Sequence, residues 1–181
     1  TFNHCSLVYV LYSKFKTRLQ EIGIKVPIKL TTTKVSDKLL EGFDISCRKG
    51  RITNILFLAR LEENKGIFIL IDAFKELKER YPDLKLTICG SGTAEEKLLR
   101  RIRDEHLSDV VFCGRVRGEE IKNAYITADI YVLPTTHGEG MATTILEAMA
   151  FGLPVLSRPV GGINDFFEQK KMGYLTDSLK S

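Results

Sequence analysis

The chain has 181 residues, a formal net charge of +4, 44% hydrophobic and 28% charged residues, values of an ordinary water-soluble domain with room for one substantial core. No apolar run approaches the ~20 residues that span a bilayer, and the start lacks a signal-peptide pattern, so a cytoplasmic setting is expected. The basic residues Lys97, Arg100, Arg101 and Arg103 alternate with Glu95, Glu96, Asp104 and Glu105, which predicts a salt-bridged outer helix face. A one-signed stripe with aromatic residues is lacking, so no nucleic-acid partner is expected. Cys5, Cys47, Cys89 and Cys113 have no Cys-x-x-Cys pairing and no metal-ligand spacing to a histidine. Cys89 and Cys113 lie in apolar runs and are expected to be buried free thiols.

In chain order, residues 6–11 read as a strand, 13–22 as a helix and 28–32 as a second strand, followed by a polar connecting segment at 46–51. From residue 53 onward, strands and amphipathic helices alternate. Strands are predicted at 53–58, 84–89, 110–113, 130–133, 154–156 and 173–175. The helices between them are predicted at 66–81, 94–106, 118–127, 141–151 and 161–169. Strands this apolar, separated by helices, imply an α/β, doubly wound, Rossmann-like parallel sheet with helices on both faces, whose ligand sits beyond the carboxyl ends of the strands.

Glu139 and Glu147 bracket the start of the helix predicted at 141–151. Eight residues of helix rise roughly 12 Å and turn the second side chain only about 80° from the first, so the two carboxylates can address one side of a cleft. The N–H groups of Met141, Ala142, Thr143 and Thr144 lie between them, and free helix N-termini attract phosphate. A ligand with an anionic middle and hydroxyl groups at both ends, such as a nucleoside diphosphate sugar, suits this arrangement. On these residues alone a blander account competes: Glu139 as a dipole-favoured acid and Glu147 as a solvated one.

Other loops carry residues of matching chemistry. Arg60 follows the first strand of the repeat and Lys65 stands at the next helix entrance, where a guanidinium and an ammonium can neutralise a diphosphate and stabilise it as it departs. A surface pair between Arg60 and Glu62 or Glu63 is equally compatible. Gly90-Ser91-Gly92 permits close backbone approach, but with Glu95 in place of the third glycine it is not the dinucleotide fingerprint Gly-x-Gly-x-x-Gly. Gly114-Arg115-Val116 offers backbone groups to a planar base or is an ordinary turn. His137 is placed to donate to a phosphate or sugar hydroxyl, although a loop histidine without a role is commoner. Nucleophile-elbow, Walker, paired-histidine zinc and Asp-x-Asp patterns are lacking.

Residues 53–175 resemble the C-terminal donor-binding domain of family 4 glycosyltransferases (glycosyl transferases group 1), which have the GT-B fold. The resemblance rests on Ala59-Arg60-Leu61-x-x-x-Lys65-Gly66, Cys89-Gly90-Ser91-Gly92, Phe112-Cys113-Gly114 and Ala128-Asp129-Ile130-Tyr131-Val132-Leu133-Pro134. It continues through Glu139-x7-Glu147 with Leu146-Glu147-Ala148-Met149-Ala150, Gly152-Leu153-Pro154-Val155 and Val160-Gly161-Gly162. Residues 8–40 are similar to the last β-α-β unit of the preceding acceptor domain. The resemblance implies residues 1–44 as an acceptor-domain remnant with linker and 45–181 as a donor-binding domain truncated at its C-terminus.

It further implies Arg60 and Lys65 on the donor diphosphate, Glu147 on the ribose hydroxyls and Glu139 on the transferred sugar. The amides of Gly140, Met141, Ala142, Thr143 and Thr144 would meet sugar and phosphate, Gly92 would allow close approach, and Arg115 and Val116 would meet the base. The implied activity is that of a retaining, metal-independent hexosyltransferase in polysaccharide, lipopolysaccharide or glycolipid synthesis. The implied partners are a nucleotide-sugar donor and a sugar or lipid-linked acceptor held by the missing domain, with no cofactor, and the intact enzyme is cytoplasmic or membrane-peripheral. Arg60, Lys65 and Glu139 are its expected catalytic residues, and the isolated fragment is expected to be inactive. Ala59 and Ala142 depart from the family pattern, which has Gly, and Gly or Pro, there. A nucleotide-binding module without activity of its own is the alternative; a Rossmann oxidoreductase is disfavoured by the missing fingerprint.

Overall fold

The computed structural model describes residues 2–48, 50–138 and 140–177. The first elements are β1 (Val8–Val10), α1 (Ser13–Glu21) and β2 (Ile28–Leu30), in which the strands pair in parallel as a separate two-stranded sheet. Val8, Val10, Leu19 and Ile28 form its small core. Each strand is shorter than its apolar run predicts, because a two-stranded sheet has few partners to extend the ladder.

The main sheet contains β3 (Asn54–Leu58), β4 (Lys85–Cys89), β5 (Val110–Gly114), β6 (Ile130–Leu133), β7 (Val155–Ser157) and β8 (Gly173–Leu175). All its ladders are parallel, in the order β5-β4-β3-β6-β7-β8. After the short α2 (Asp37–Leu40), the helices linking these strands are α3 (Ile67–Arg80), α4 (Glu95–Asp104), α5 (Glu119–Thr127), α6 (Thr143–Ala150) and α7 (Ile163–Phe166). The order reverses between β3 and β6, which is the switch point where open parallel sheets bind ligands. Asp129 fixes that junction: its Oδ2 accepts from the N–H and hydroxyl of Thr53 and from the N–H of Asn54, each at 2.8 Å. This sets the start of β3 against the start of β6.

Strand alternation divides the core. Ile55, Ile130, Val132 and Leu156 share one face with Leu70, Ala73 and Leu77 of α3, around a cavity of about 1130 Å³. Tyr131 points to the opposite face, where its hydroxyl meets Thr144 of α6. Helices therefore lie on both faces as expected, but the α3 face remains open over β6 and β7 among the described residues.

The salt-bridged character of α4 holds. Arg101 pairs with Asp72 and with Glu105 at 2.6 Å, Lys75 with Glu105 at 2.5 Å, and Lys97 with Glu63 at 2.7 Å. Cys89 is buried, and burial together with the neighbouring Cys113 pushes its thiol up to about 12. Cys113 is exposed, contrary to the sequence expectation. It lies on β5, the sheet edge, where Val111 and Cys113 alternate outward even though the whole run is apolar.

The segment expected to be a plain polar connection is instead a clamp. Arg48 Nε donates to Phe151 O at 2.8 Å, Nη1 to Ala128 O at 2.6 Å and Ile126 O at 3.2 Å, and Nη2 to Tyr125 O at 2.9 Å. These are the carbonyls that α5 and α6 leave unpaired at their C-termini, the end at which helices favour a cation. The same guanidinium lies 5.3 Å from the Phe43 ring centroid, and Phe43 meets Phe151 edge-on at 4.8 Å.

Candidate functional site

Five loops leave the carboxyl ends of parallel strands and so gather along one edge of the sheet. The β3–α3 loop carries Arg60, Lys65 and Gly66. Arg60 is exposed and pairs with Glu62 at 2.8 Å. Lys65 closes a 3-10 turn, Glu63–Lys65, and is only 6% exposed, unusual for a lysine. Gly66 is left-handed (φ +80°), and a Cβ there would stand 2.2 Å from Pro134 O. The β3–α3 and β6–α6 loops thus touch main chain to main chain.

Asn64 holds them together. Its carbonyl accepts from Thr136 N at 2.8 Å, from His137 N at 3.3 Å and from the hydroxyls of Thr135 and Thr136, each at 3.2 Å. His137 is exposed, and this pairing gives its backbone a structural task. Glu139 lies outside the described residues. Helix α6 begins at Thr143, two residues later than predicted, because Ala142 adopts φ −76°, ψ 88°, outside the helical region. The N–H groups of Thr143 and Thr144 therefore belong to the helix mouth, whereas Gly140, Met141 and Ala142 form the approach to it. Ala142 is buried and its carbonyl accepts from Ile145 and Leu146.

Glu147 occupies the second turn of α6, as expected, and is half-buried. Its Oε2 receives the hydroxyl of Tyr125 at 2.7 Å, while the Tyr131 hydroxyl lies 2.7 Å from Thr144 Oγ1 and 3.0 Å from Leu58 O. Burial, reinforced by Tyr131 and Glu147, drives the Tyr125 phenol far above its ordinary range, so it remains a donor. Sequence reasoning missed both tyrosines, Tyr125 on α5 and Tyr131 on β6, because their apolar surroundings mark them only as core residues.

Gly92 and Gly90 have a packing role in the loops themselves. A Cβ at Gly90 would fall 1.9 Å from Ala59 O and one at Gly92 2.4 Å from Leu61 O. Their absence of side chain lets the β4–α4 loop lie on the β3–α3 loop, where Leu61 N donates to Ser91 O and Ala94 N to Leu61 O. Arg115 is exposed and Val116 packs on the core beyond β5, at the far end of the same edge. The Gly161-Gly162 turn also has a packing reason, since a Cβ on Gly162 would lie 2.2 Å from Gly140 O and 2.8 Å from Tyr12 Cβ.

The small unit therefore faces this edge. Leu11 and Tyr12 border Gly140, and Ser13 donates both its N–H and, at 2.7 Å, its hydroxyl to Asp165. Among the described residues no cluster of three or more His, Cys, Asp or Glu is disposed to hold a metal, and no helix is long and apolar enough to cross a membrane.

Residues 47–180 match the family described as Glycosyl transferases group 1. The chain is 39% identical over 127 residues to the amylovoran biosynthesis glycosyltransferase AmsK of Erwinia amylovora, covering 67% of this chain and 31% of that protein. It is 32% identical over 137 residues to the phosphatidyl-myo-inositol mannosyltransferase of Mycobacterium tuberculosis, covering 75% and 34%. Its fold superposes on the crystal structure of the pneumococcal O-GlcNAc transferase GtfA in complex with UDP and GlcNAc with a TM-score of 0.75, at 27% identity, covering 96% of this chain and 34% of that one. The chain belongs to the group 1 glycosyltransferases, and its six-stranded parallel sheet is the Rossmann-like unit of GT-B enzymes. It spans about a third of the length of the curated relatives it matches.

Proposed function

We propose that this chain is the donor-binding part of a retaining, metal-independent hexosyltransferase that moves a sugar from a nucleotide-sugar to an acceptor hydroxyl in polysaccharide, lipopolysaccharide or glycolipid synthesis. The observation that carries the reading is the switch point between β3 and β6. There the Arg60–Lys65 loop and the mouth of α6 are bound together through Asn64, with Glu147 one turn inside the helix. The UDP and GlcNAc named for the GtfA complex support the ligand class.

In this reading Arg60 and Lys65 take the diphosphate and stabilise it as the leaving group. The amides of Gly140 to Thr144 meet sugar and phosphate, Glu147 accepts the ribose hydroxyls, Glu139 holds the transferred sugar, and Arg115 and Val116 flank the base, with Gly92 on the same rim. Arg60 need only leave Glu62, and an exposed pair of that kind is worth at most about 1 kcal/mol. Charge-assisted bonds to a diphosphate outweigh that. Residues 1–44 belong to the acceptor half and 45–181 to the donor half. The sugar or lipid-linked acceptor is held by the acceptor half, of which this chain carries a small piece. By itself the chain binds nucleotide and transfers nothing.

Thermal melting separates this from a dinucleotide-binding oxidoreductase. At ten times its dissociation constant a ligand adds about 1.4 kcal/mol, which for a domain of this size raises Tm by about 3–6 °C. UDP or GDP is expected to produce that rise and NAD none. A rise with NAD and neither diphosphate would reverse the assignment.

A further inference from the structure

We propose that Tyr125 is a positioning residue for Glu147, holding its carboxylate in the orientation that receives a ribose diol. The proposal rests on the reading of Glu147 as the ribose partner. A glutamate on an exposed helix face samples several rotamers, and fixing it for a ligand has an entropic cost. Here one oxygen is already fixed, by a hydroxyl 2.7 Å from Oε2. The other oxygen, and the spare lone pairs of the first, remain able to accept hydroxyl donors.

The donor is itself immobile. Tyr125 is fully buried, stacks on Phe151 with centroids 5.1 Å apart and leans on Tyr131 at 6.3 Å. Its carbonyl is one of those gripped by Arg48, which also grips Phe151 at the end of the helix that carries Glu147. Both ends of the Tyr125–Glu147 bond are therefore anchored to one guanidinium. Burial raises the phenol above its ordinary range, which keeps the proton on oxygen for donation to Glu147.

The test is a calorimetric titration of the chain with UDP and with its 2′,3′-dideoxy counterpart, run alongside the corresponding GDP pair. Tyr125→Phe keeps the ring stacking and removes only the hydroxyl. It is expected to weaken the ribose form about ten-fold, the loss of one hydrogen bond to a charged group, and to change the dideoxy form less than about two-fold. In a Glu147→Ala background the same substitution should add no further ribose-dependent loss. Equal weakening of both forms, or no weakening of the ribose form, overturns the proposal. If the unsubstituted chain binds neither diphosphate, the donor-site reading fails and this proposal with it. Should Tyr125→Phe lower Tm by more than about 5 °C, the titrations are run about 15 °C below the Tm of the variant, where it is folded and the same two outcomes decide.

Discussion

Replacing Arg60 and Lys65 together with alanine is expected to weaken nucleoside diphosphate binding by this chain about 10²- to 10⁴-fold, while its fold survives. Each cation contributes charge-assisted bonds worth about 1.5–3 kcal/mol to a phosphate group, and the two stand five positions apart in one loop. In a protein that carries this unit with a complete acceptor domain, the same pair should lower kcat further than it raises KM, because negative charge on the diphosphate grows as the sugar departs. A loss of several kcal/mol in transition-state stabilisation follows. Calorimetry on the chain and initial rates on the larger protein read the two effects. Near-normal affinity together with near-normal turnover would remove Arg60 and Lys65 from the site.

Gly66→Ala is the second large effect, and it acts through structure. The residue is left-handed, costing a Cβ-bearing residue about 1–2 kcal/mol. The new methyl would also stand 2.2 Å from Pro134 O and 2.7 Å from Pro134 C, atoms of main chain that cannot rotate away. Overpacking of this kind costs about 1–3 kcal/mol. A total near 3 kcal/mol lowers Tm by about 6–12 °C for a domain of this size. Because relief requires the β6–α6 loop to leave Asn64, nucleotide affinity should fall in step with stability. A melting curve within 2 °C of the unsubstituted chain, or a destabilised variant with unchanged affinity, would show that the two loops do not depend on this contact.

The repeat from residue 53 onward was legible because each buried strand is a short apolar run and each helix between them carries its own apolar period. Ile130–Leu133 and Gly173–Leu175 fall where the sequence places them. Helix ends were less legible. Nothing in Gly140-Met141-Ala142 announces that Ala142 leaves the helical region, and α7 stops at Phe166, well short of 169, because Phe167 is already extended. Arg48 was unreadable for another reason. Its partners lie 77 to 103 positions away, so an arginine amid polar residues reads as linker until α5 and α6 bring four carbonyls to one point.

The site divides in the same way. The sequence places Arg60, Lys65 and Glu147 along the carboxyl edge of the sheet, and the structure has them there, since parallel topology alone brings those loops to one edge. Glu139 was named with them and lies outside the described residues. Gly66, Gly90 and Gly92 have main-chain neighbours within 2.4 Å of a would-be Cβ, so they let the loops lie on one another, a packing task that the Gly90-Ser91-Gly92 stretch does not announce in the sequence. The tyrosines beneath α6, one on a helix and one on a strand, could be found only from the packing, because a buried aromatic carries no mark of what its hydroxyl reaches.

A crystal structure of this chain with UDP or GDP bound is the decisive measurement. The diphosphate is expected between the Arg60–Lys65 loop and the mouth of α6, with the ribose hydroxyls on Glu147. A nucleotide seated instead in the apolar cavity beneath α3, or with its diphosphate on Gly90-Ser91-Gly92, would contradict this placement.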